Sequence, residues 1–159
     1  MSLRYRSLRP EDAPVIAAFP QSAAELFHMF PNGVWPFNGE QILAAARARW
    51  DATVIETASR PCGYANFAAF EPGGFCTIGN VVVAPWARRQ GVARFLIQTM
   101  IEKAFGGRGV PLLRVAAHAS NYAALLLYPS LGFQPERIEA VPDGRGGMVP
   151  LVHFRMERS

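Results

Sequence analysis

Lysine is almost missing from this sequence: Lys103 is the only one among sixteen basic residues, and the rest are arginines. No basic run exceeds Arg88-Arg89, and no basic stripe is interleaved with aromatics. The formal charge is +4 and the pI is near 9.6. That pattern argues against a nucleic-acid-binding face and is compatible with a small polyanion as partner. Cysteine is scarce as well. Cys62 and Cys76 are too few for a disulfide framework in a chain this size and have no metal-type spacing, so reduced, semi-buried thiols and no metal are expected. Placement on neighbouring strands would still allow the two to pair. No apolar run approaches the ~20 residues of a membrane span. The opening MSLRYRSLRPED is charged and lacks the apolar segment of a signal peptide, so a cytoplasmic location is expected. Repeats and low-complexity linkers are absent too, and 159 residues suit a single domain spanning 1–159.

What is present is ordinary globular composition, 50% hydrophobic and 18% charged. Residues 3–8 alternate as a strand, and Arg9-Pro10-Glu11-Asp12 opens a short helix. Residues 19–37 read as irregular, punctuated by Pro20, Pro31, Gly33 and Pro36. Residues 39–50 read as a helix, and 52–58 and 63–71 as strands joined by a turn at 60–63. Glu71-Pro72-Gly73-Gly74 is a second turn, followed by a strand over 75–84. Residues 92–105 form a helix that is apolar on two sides and stops at Gly106-Gly107. A strand over 111–118, a helix from Asn121 and strands over 133–140 and 148–155 complete the chain. The strand–helix–strand unit from 75 to 118 requires a parallel pair inside an otherwise antiparallel sheet, so the class is α/β with a mixed, mostly antiparallel sheet flanked by helices.

The segment VVVAPWARRQGVARFLIQTMI (81–101) packs a strand end, an arginine-rich bend and a helix start into one short stretch. A helix start presents backbone N–H groups with no intrahelical partner, and the helix dipole makes them an anion site. Gly91 permits close approach, and Arg88, Arg89 and Arg94 add full charge. The same residues also suit a solvated arginine pair and a plain turn, and composition does not separate the two readings. The P-loop lysine is absent, and so are the glycines of a dinucleotide fingerprint.

The pattern Val83-x-Pro85-x-x-Arg88-x-x-Gly91-x-Ala93 resembles the acetyl-CoA signature of the GNAT N-acetyltransferase superfamily, whose core reads [Q/R]-x-x-G-x-[G/A]. Downstream, Asn121-x-x-Ala124-x-x-Leu127-Tyr128-x-x-Leu131-Gly132-Phe133 is similar to the family's second CoA motif, at the family's separation. The resemblance implies the acyl-CoA N-acyltransferase fold, with a parallel strand pair that splays apart. It also implies acetyl-CoA as cosubstrate and an amine on a small molecule or peptide as acceptor; the short apolar runs already give no expectation of a membrane partner.

Carried across residue by residue, the resemblance gives the main chain of Val81 and Val83 to the pantetheine arm. The pyrophosphate goes to the amides of Arg89, Gln90, Gly91, Val92, Ala93 and Arg94, with Arg88 in the signature's first position. Asn121 gains a polar contact to the pantetheine beyond its role as a helix cap. Tyr128 becomes the general acid to the CoA thiolate, although Pro129 directly after it predicts a kink or early helix end. The strand before the signature offers Thr77 and Asn80 where family members often carry a carboxylate. The base is left open among Glu25, His28, Glu71 and His118. Phe27, Phe30, Trp35 and Phe37 either line an amine pocket or plug the core. A non-catalytic acyl-CoA sensor is the alternative function, and pairing of edge strands into a homodimer is compatible with the family.

Overall fold

Two residues, Ala58 and Ser59, both with left-handed backbones (φ 49° and 64°), turn the chain between β2 (Trp50–Thr57) and β3 (Arg60–Glu71). A two-residue loop of this hand matches the twist of the strands it joins. The turn therefore comes two residues earlier than the expected 60–63, and Arg60 already pairs with Thr57. Pro61 reads as a turn residue but is tolerated in the strand because it sits at a register shift, where a missing N–H costs no ladder bond.

The computed structural model describes residues 1–159. Its remaining strands are β1 (Arg4–Ser7), β4 (Phe75–Val83), β5 (Leu112–His118), β6 (Gln134–Pro142) and β7 (Met148–Glu157). They form one sheet of order β1-β2-β3-β4-β5-β7-β6. Every neighbouring pair is antiparallel except β4–β5. This is the mixed, mostly antiparallel sheet expected from the sequence.

The helices are α1 (Ala13–Ala17), α2 (Ala23–Met29), α3 (Gly39–Ala48), α4 (Val92–Glu102) and α5 (Tyr122–Ser130). Helix α2 lies inside the stretch that reads as irregular. Pro20 and Pro31 confine it to two turns, too short for periodicity to register, and Ser22 caps it by accepting the Glu25 N–H at 3.2 Å. At the other end of α4, residues Lys103–Gly107 continue as a π turn in which the Arg108 N–H donates to the Lys103 carbonyl. The left-handed residue that follows is Gly109 (φ 67°), so Gly106-Gly107 is not the stop. None of these helices is long and apolar enough to cross a bilayer.

Helix α4 buries both of its apolar sides, with Leu96, Ile97 and Met100 fully inaccessible. Its first residue, Val92, comes so close to β3 that a Cβ on Gly63 would lie 3.1 Å from the valine methyl. Strand alternation then puts Tyr64 and Asn66 on the opposite face, toward α2 and α3. Cys62 and Cys76 are buried, unpaired thiols whose pKa burial pushes up to about 11. Cys76 pairs in register with Phe70. That is eight positions along β3 from Cys62, roughly 26 Å, which excludes a disulfide.

Asp12 ties the N-terminal strand to the first helix. Its carboxylate accepts from Arg6 at 2.7 and 2.9 Å and from the Arg9 N–H at 2.8 Å. Burial alone would raise the Asp12 pKa, but the Arg6 and Arg9 bonds outweigh it and hold the group below the ordinary carboxylate value. A depressed folded-state pKa contributes stability at neutral pH and loses it as pH falls through that value. Asp12→Ala is expected to cost about 2 kcal/mol near neutrality. In urea titrations the gap between variant and unaltered chain should close as pH drops below about 3.9.

Candidate active site

Strands β4 and β5 pair over only four positions, from Phe75↔Leu112 to Ile78↔Val115. Beyond them β5 keeps pairing with β7, and the segment Gly79–Val83 departs with β3. The hinge is a bulge. Gly79 pairs with Asn66 and Val82 with Tyr64, so Asn80 and Val81 together oppose Ala65. Asn80 has φ 53°, a left-handed conformation that asparagine tolerates better than other side chains.

A polar cluster locks that bulge from the α2–α3 face. The Asn80 Nδ2 donates to the Met29 carbonyl at 3.0 Å. Its Oδ1 accepts from Asn66 Nδ2 at 2.9 Å and from Arg49 Nη1 at 2.8 Å. Asn66 Nδ2 also donates to the Tyr64 hydroxyl. Asn66 and Asn80 are both buried, so their bonding is obligatory. Asn80, expected only as a non-carboxylate at this point of the strand, is thus the residue that opens the sheet. No local motif marks Asn66, Arg49 or Tyr64 in the sequence. Their one local signal is a pair of asparagines, Asn66 and Asn80, set in β-branched and aromatic strand stretches.

The opened strands bound a cleft of about 660 Å³, walled by the start of α4, by α5 and by α2. Every site residue that the motifs nominate lines it except Gln90, whose side-chain amide turns back to donate to the Trp86 carbonyl. The Ala84 N–H donates to Cys62 on β3. Antiparallel alternation therefore turns the main-chain groups of Val83 away from β3.

At the cleft mouth, Arg89 and Gly91 both have left-handed backbones, φ 62° and 82°. Helices α2, α3 and α5 begin under side-chain caps from Ser22, Asn38 and Asn121, whereas α4 begins at Gly91 with none. The amides of its first turn therefore have neither an intrahelical partner nor a cap. The three arginines differ. Arg88 grips Glu25 at 2.8 Å and reaches the Val83 carbonyl at 3.4 Å, and Arg94 donates to Ser130 at 2.8 Å. Arg89 is exposed and makes no side-chain hydrogen bond or ion pair, so its charge is free for a ligand.

Across the cleft, Asn121 caps α5 by accepting the Ala124 N–H at 3.4 Å. Pro129 lies in the last turn, and the helix runs one residue past it to Ser130. The expected kink or early end does not carry Tyr128 off the cleft. Its ring is wedged between Phe133 and Phe154, with centroids at 5.9 and 5.7 Å. Burial pushes the phenol pKa up. Its hydroxyl has no protein hydrogen-bond partner, yet it is not among atoms sealed from solvent, so it faces the cleft.

A second cavity of about 420 Å³ adjoins the first. Phe27, Phe30 and Trp35 line it, while Phe37 does not and packs on Phe30 at 5.1 Å. Of the aromatics in this stretch, Phe37 belongs to the core and the other three to a pocket. The four candidate bases separate as well. Glu71 opposes Phe75 at the closed end of the parallel pair, remote from the cleft. Glu25 accepts from both terminal nitrogens of Arg88 and from the Gln21 N–H, and the Arg88 bonds hold its pKa low. His118 is buried against Phe27 at 4.2 Å and lines neither cavity. His28 lines both.

Comparison with known proteins places these features in context. The sequence pattern of the acetyltransferase (GNAT) family matches residues 18–133. The [ribosomal protein bS18]-alanine N-acetyltransferase of Escherichia coli strain K12 is 42% identical over 62 residues. That match covers 39% of this chain and 41% of the relative, so it spans about two fifths of the relative's length. Among solved structures, a putative acetyltransferase from Salmonella typhimurium with its cofactor acetyl-CoA superposes with a TM-score of 0.76 at 19% identity, covering 99% of this chain and 94% of that one. The spermidine N-acetyltransferase of Vibrio cholerae, in complex with CoA and spermine, gives 0.81 at 16% identity, covering 98% and 95%.

Proposed function

The chain belongs to the acetyltransferase (GNAT) family, and from that premise we propose that residues 1–159 form one cytoplasmic N-acetyltransferase domain that moves an acetyl group from acetyl-CoA to a primary amine by direct attack. The observation that carries this reading is the sheared-open β4–β5 pair, with an uncapped helix start at its mouth and an unpartnered tyrosine hydroxyl inside. The first-turn amides of α4, together with Arg89, would hold the pyrophosphate of acetyl-CoA. The main chain of Val81 and Val83, with Asn121, would hold the pantetheine arm. Acetyl-CoA supplies the activated acyl group.

Tyr128 acts when the C–S bond breaks. A phenol is protonated through the neutral range without any shift, and the Tyr128 hydroxyl gives that proton to the departing thiolate. The acylated nitrogen sheds a proton in the same event, which restores the phenol, so atoms and charge balance.

The acceptor differs among similar proteins. One relative is named for the alanine of a ribosomal protein, and one structural neighbour for spermidine. The test is amine-dependent release of free thiol from acetyl-CoA, with an alanine-led peptide, spermidine and phenethylamine as acceptors. Release above the amine-free rate with at least one is expected. Acetyl-CoA binding with no release from any of them would mean a sensor module rather than an enzyme.

A further inference from the structure

A transferase that uses two cavities needs a proton acceptor where they meet, because the amine arrives as an ammonium ion and must attack as a free base. His28 is the only residue that lines both the cofactor cleft and the adjoining cavity. Its ring is positioned from two sides. Nε2 sits 2.8 Å from the Ser120 hydroxyl, and the ring stacks with His118 at 6.0 Å, with Phe27 beside both rings at 6.5 Å from His28 and 4.2 Å from His118. The rival carboxylate on the same helix, Glu25, is already neutralised by Arg88. The adjoining cavity is apolar along Leu26, Phe27, Phe30 and Trp35, with Met148 and Val149 contributed by β7.

We infer that the second cavity receives the body of the acceptor, a primary amine on an apolar or aromatic group, and that His28 is the general base that deprotonates it. The inference rests on the acetyl-transfer reading above. In the first step the ammonium N–H bond breaks and its proton passes to the neutral imidazole, leaving the nitrogen lone pair free. The C–N bond then forms as the C–S bond breaks, Tyr128 protonates sulfur and its phenolate is restored by the proton that the acylated nitrogen sheds, and His28 returns its own proton to solvent.

The groups facing His28 favour its neutral form. Burial lowers its pKa, and Glu25 opposes this only in part while paired with Arg88. His118, also lowered by burial and by His28, adds no fixed positive charge as long as it is neutral. Asp143 and Arg145, in the β6–β7 turn, line the second cavity with charges of opposite sign. Asp143 is held ionised by the Arg145 and Gly147 N–H groups.

The test compares the unaltered chain with His28→Gln, using phenethylamine, spermidine and the alanine-led peptide as probes. For an alkylammonium with a pKa of about 10, the unaltered enzyme should show kcat/KM nearly flat from just above the His28 pKa up to that of the amine. His28→Gln should lose about 10²-fold near neutrality. Its kcat/KM should climb about tenfold per pH unit, tracking the free-base amine alone. A purely structural role would lower the rate without tilting the profile. His28→Ala with added imidazole gives a second readout, and recovery of rate is expected. If His28→Gln keeps both rate and profile while acetyl-CoA still raises its melting temperature, the base assignment falls and acetyl transfer stands. If no probe amine releases thiol from the unaltered chain although acetyl-CoA binds, acetyl transfer itself falls and the base with it.

Discussion

Gly91→Glu is expected to leave the protein folded and to erase the thermal shift that acetyl-CoA gives the unaltered chain. A ligand at a hundred times its dissociation constant adds about 2.7 kcal/mol to the folded state, which in a chain of this size raises Tm by roughly 5–10 °C. Gly91 is left-handed with φ 82°, and a Cβ there would meet no atom within 4 Å. A side chain therefore fits sterically, at a backbone cost of about 1–2 kcal/mol. What a glutamate adds is a negative charge at the uncapped start of α4, where the phosphates need positive potential. Gly91→Ala separates the two effects, since it has the same backbone strain without the charge. It should melt lower than the unaltered chain and still respond to acetyl-CoA. An undiminished shift in Gly91→Glu would remove the pyrophosphate from this loop.

Tyr128→Phe is expected to lower kcat by about 10²-fold and to leave both acetyl-CoA binding and stability close to their starting values. The physical reason is the isolation of the hydroxyl. The ring packs on Phe133 and Phe154, contacts a phenylalanine would keep, and the oxygen has no protein partner to lose. Removal of the oxygen should therefore be felt only when a thiolate departs. Steady-state rates, with thermal melts in the presence and absence of acetyl-CoA, check both halves of the expectation. A variant within twofold of the unaltered rate would take the acid role from Tyr128.

Much of this architecture is legible in the sequence because local chemistry specifies it. The β-branched run ending at Val83, the two-sided apolar helix from Val92 and the strand from Leu112 require a parallel pair, and the structure has one. Misplaced boundaries share a cause, since proline and glycine read as punctuation wherever they stand. Pro61 is a bulge residue inside β3, and Gly106-Gly107 lies inside a π turn. Helix α2 is not legible in the sequence because two turns between prolines are too few for a 3.6-residue period to emerge.

The sequence by itself determined family, fold class and the run of residues that lines the cleft between β4 and β5, because spacing within one strand–bend–helix unit is fixed by covalent geometry and helix pitch. Only the tertiary structure decided what closes around that unit. That Glu25 and His28, of the four candidate bases, stand at the cleft depends on α2 folding over the sheet, held by a contact across some ninety residues between His28 and Ser120. Which arginine is left free for a ligand depends on Glu25 and Ser130, far away in the chain, engaging the other two. Such pairings are set by packing between elements, and no local pattern encodes them.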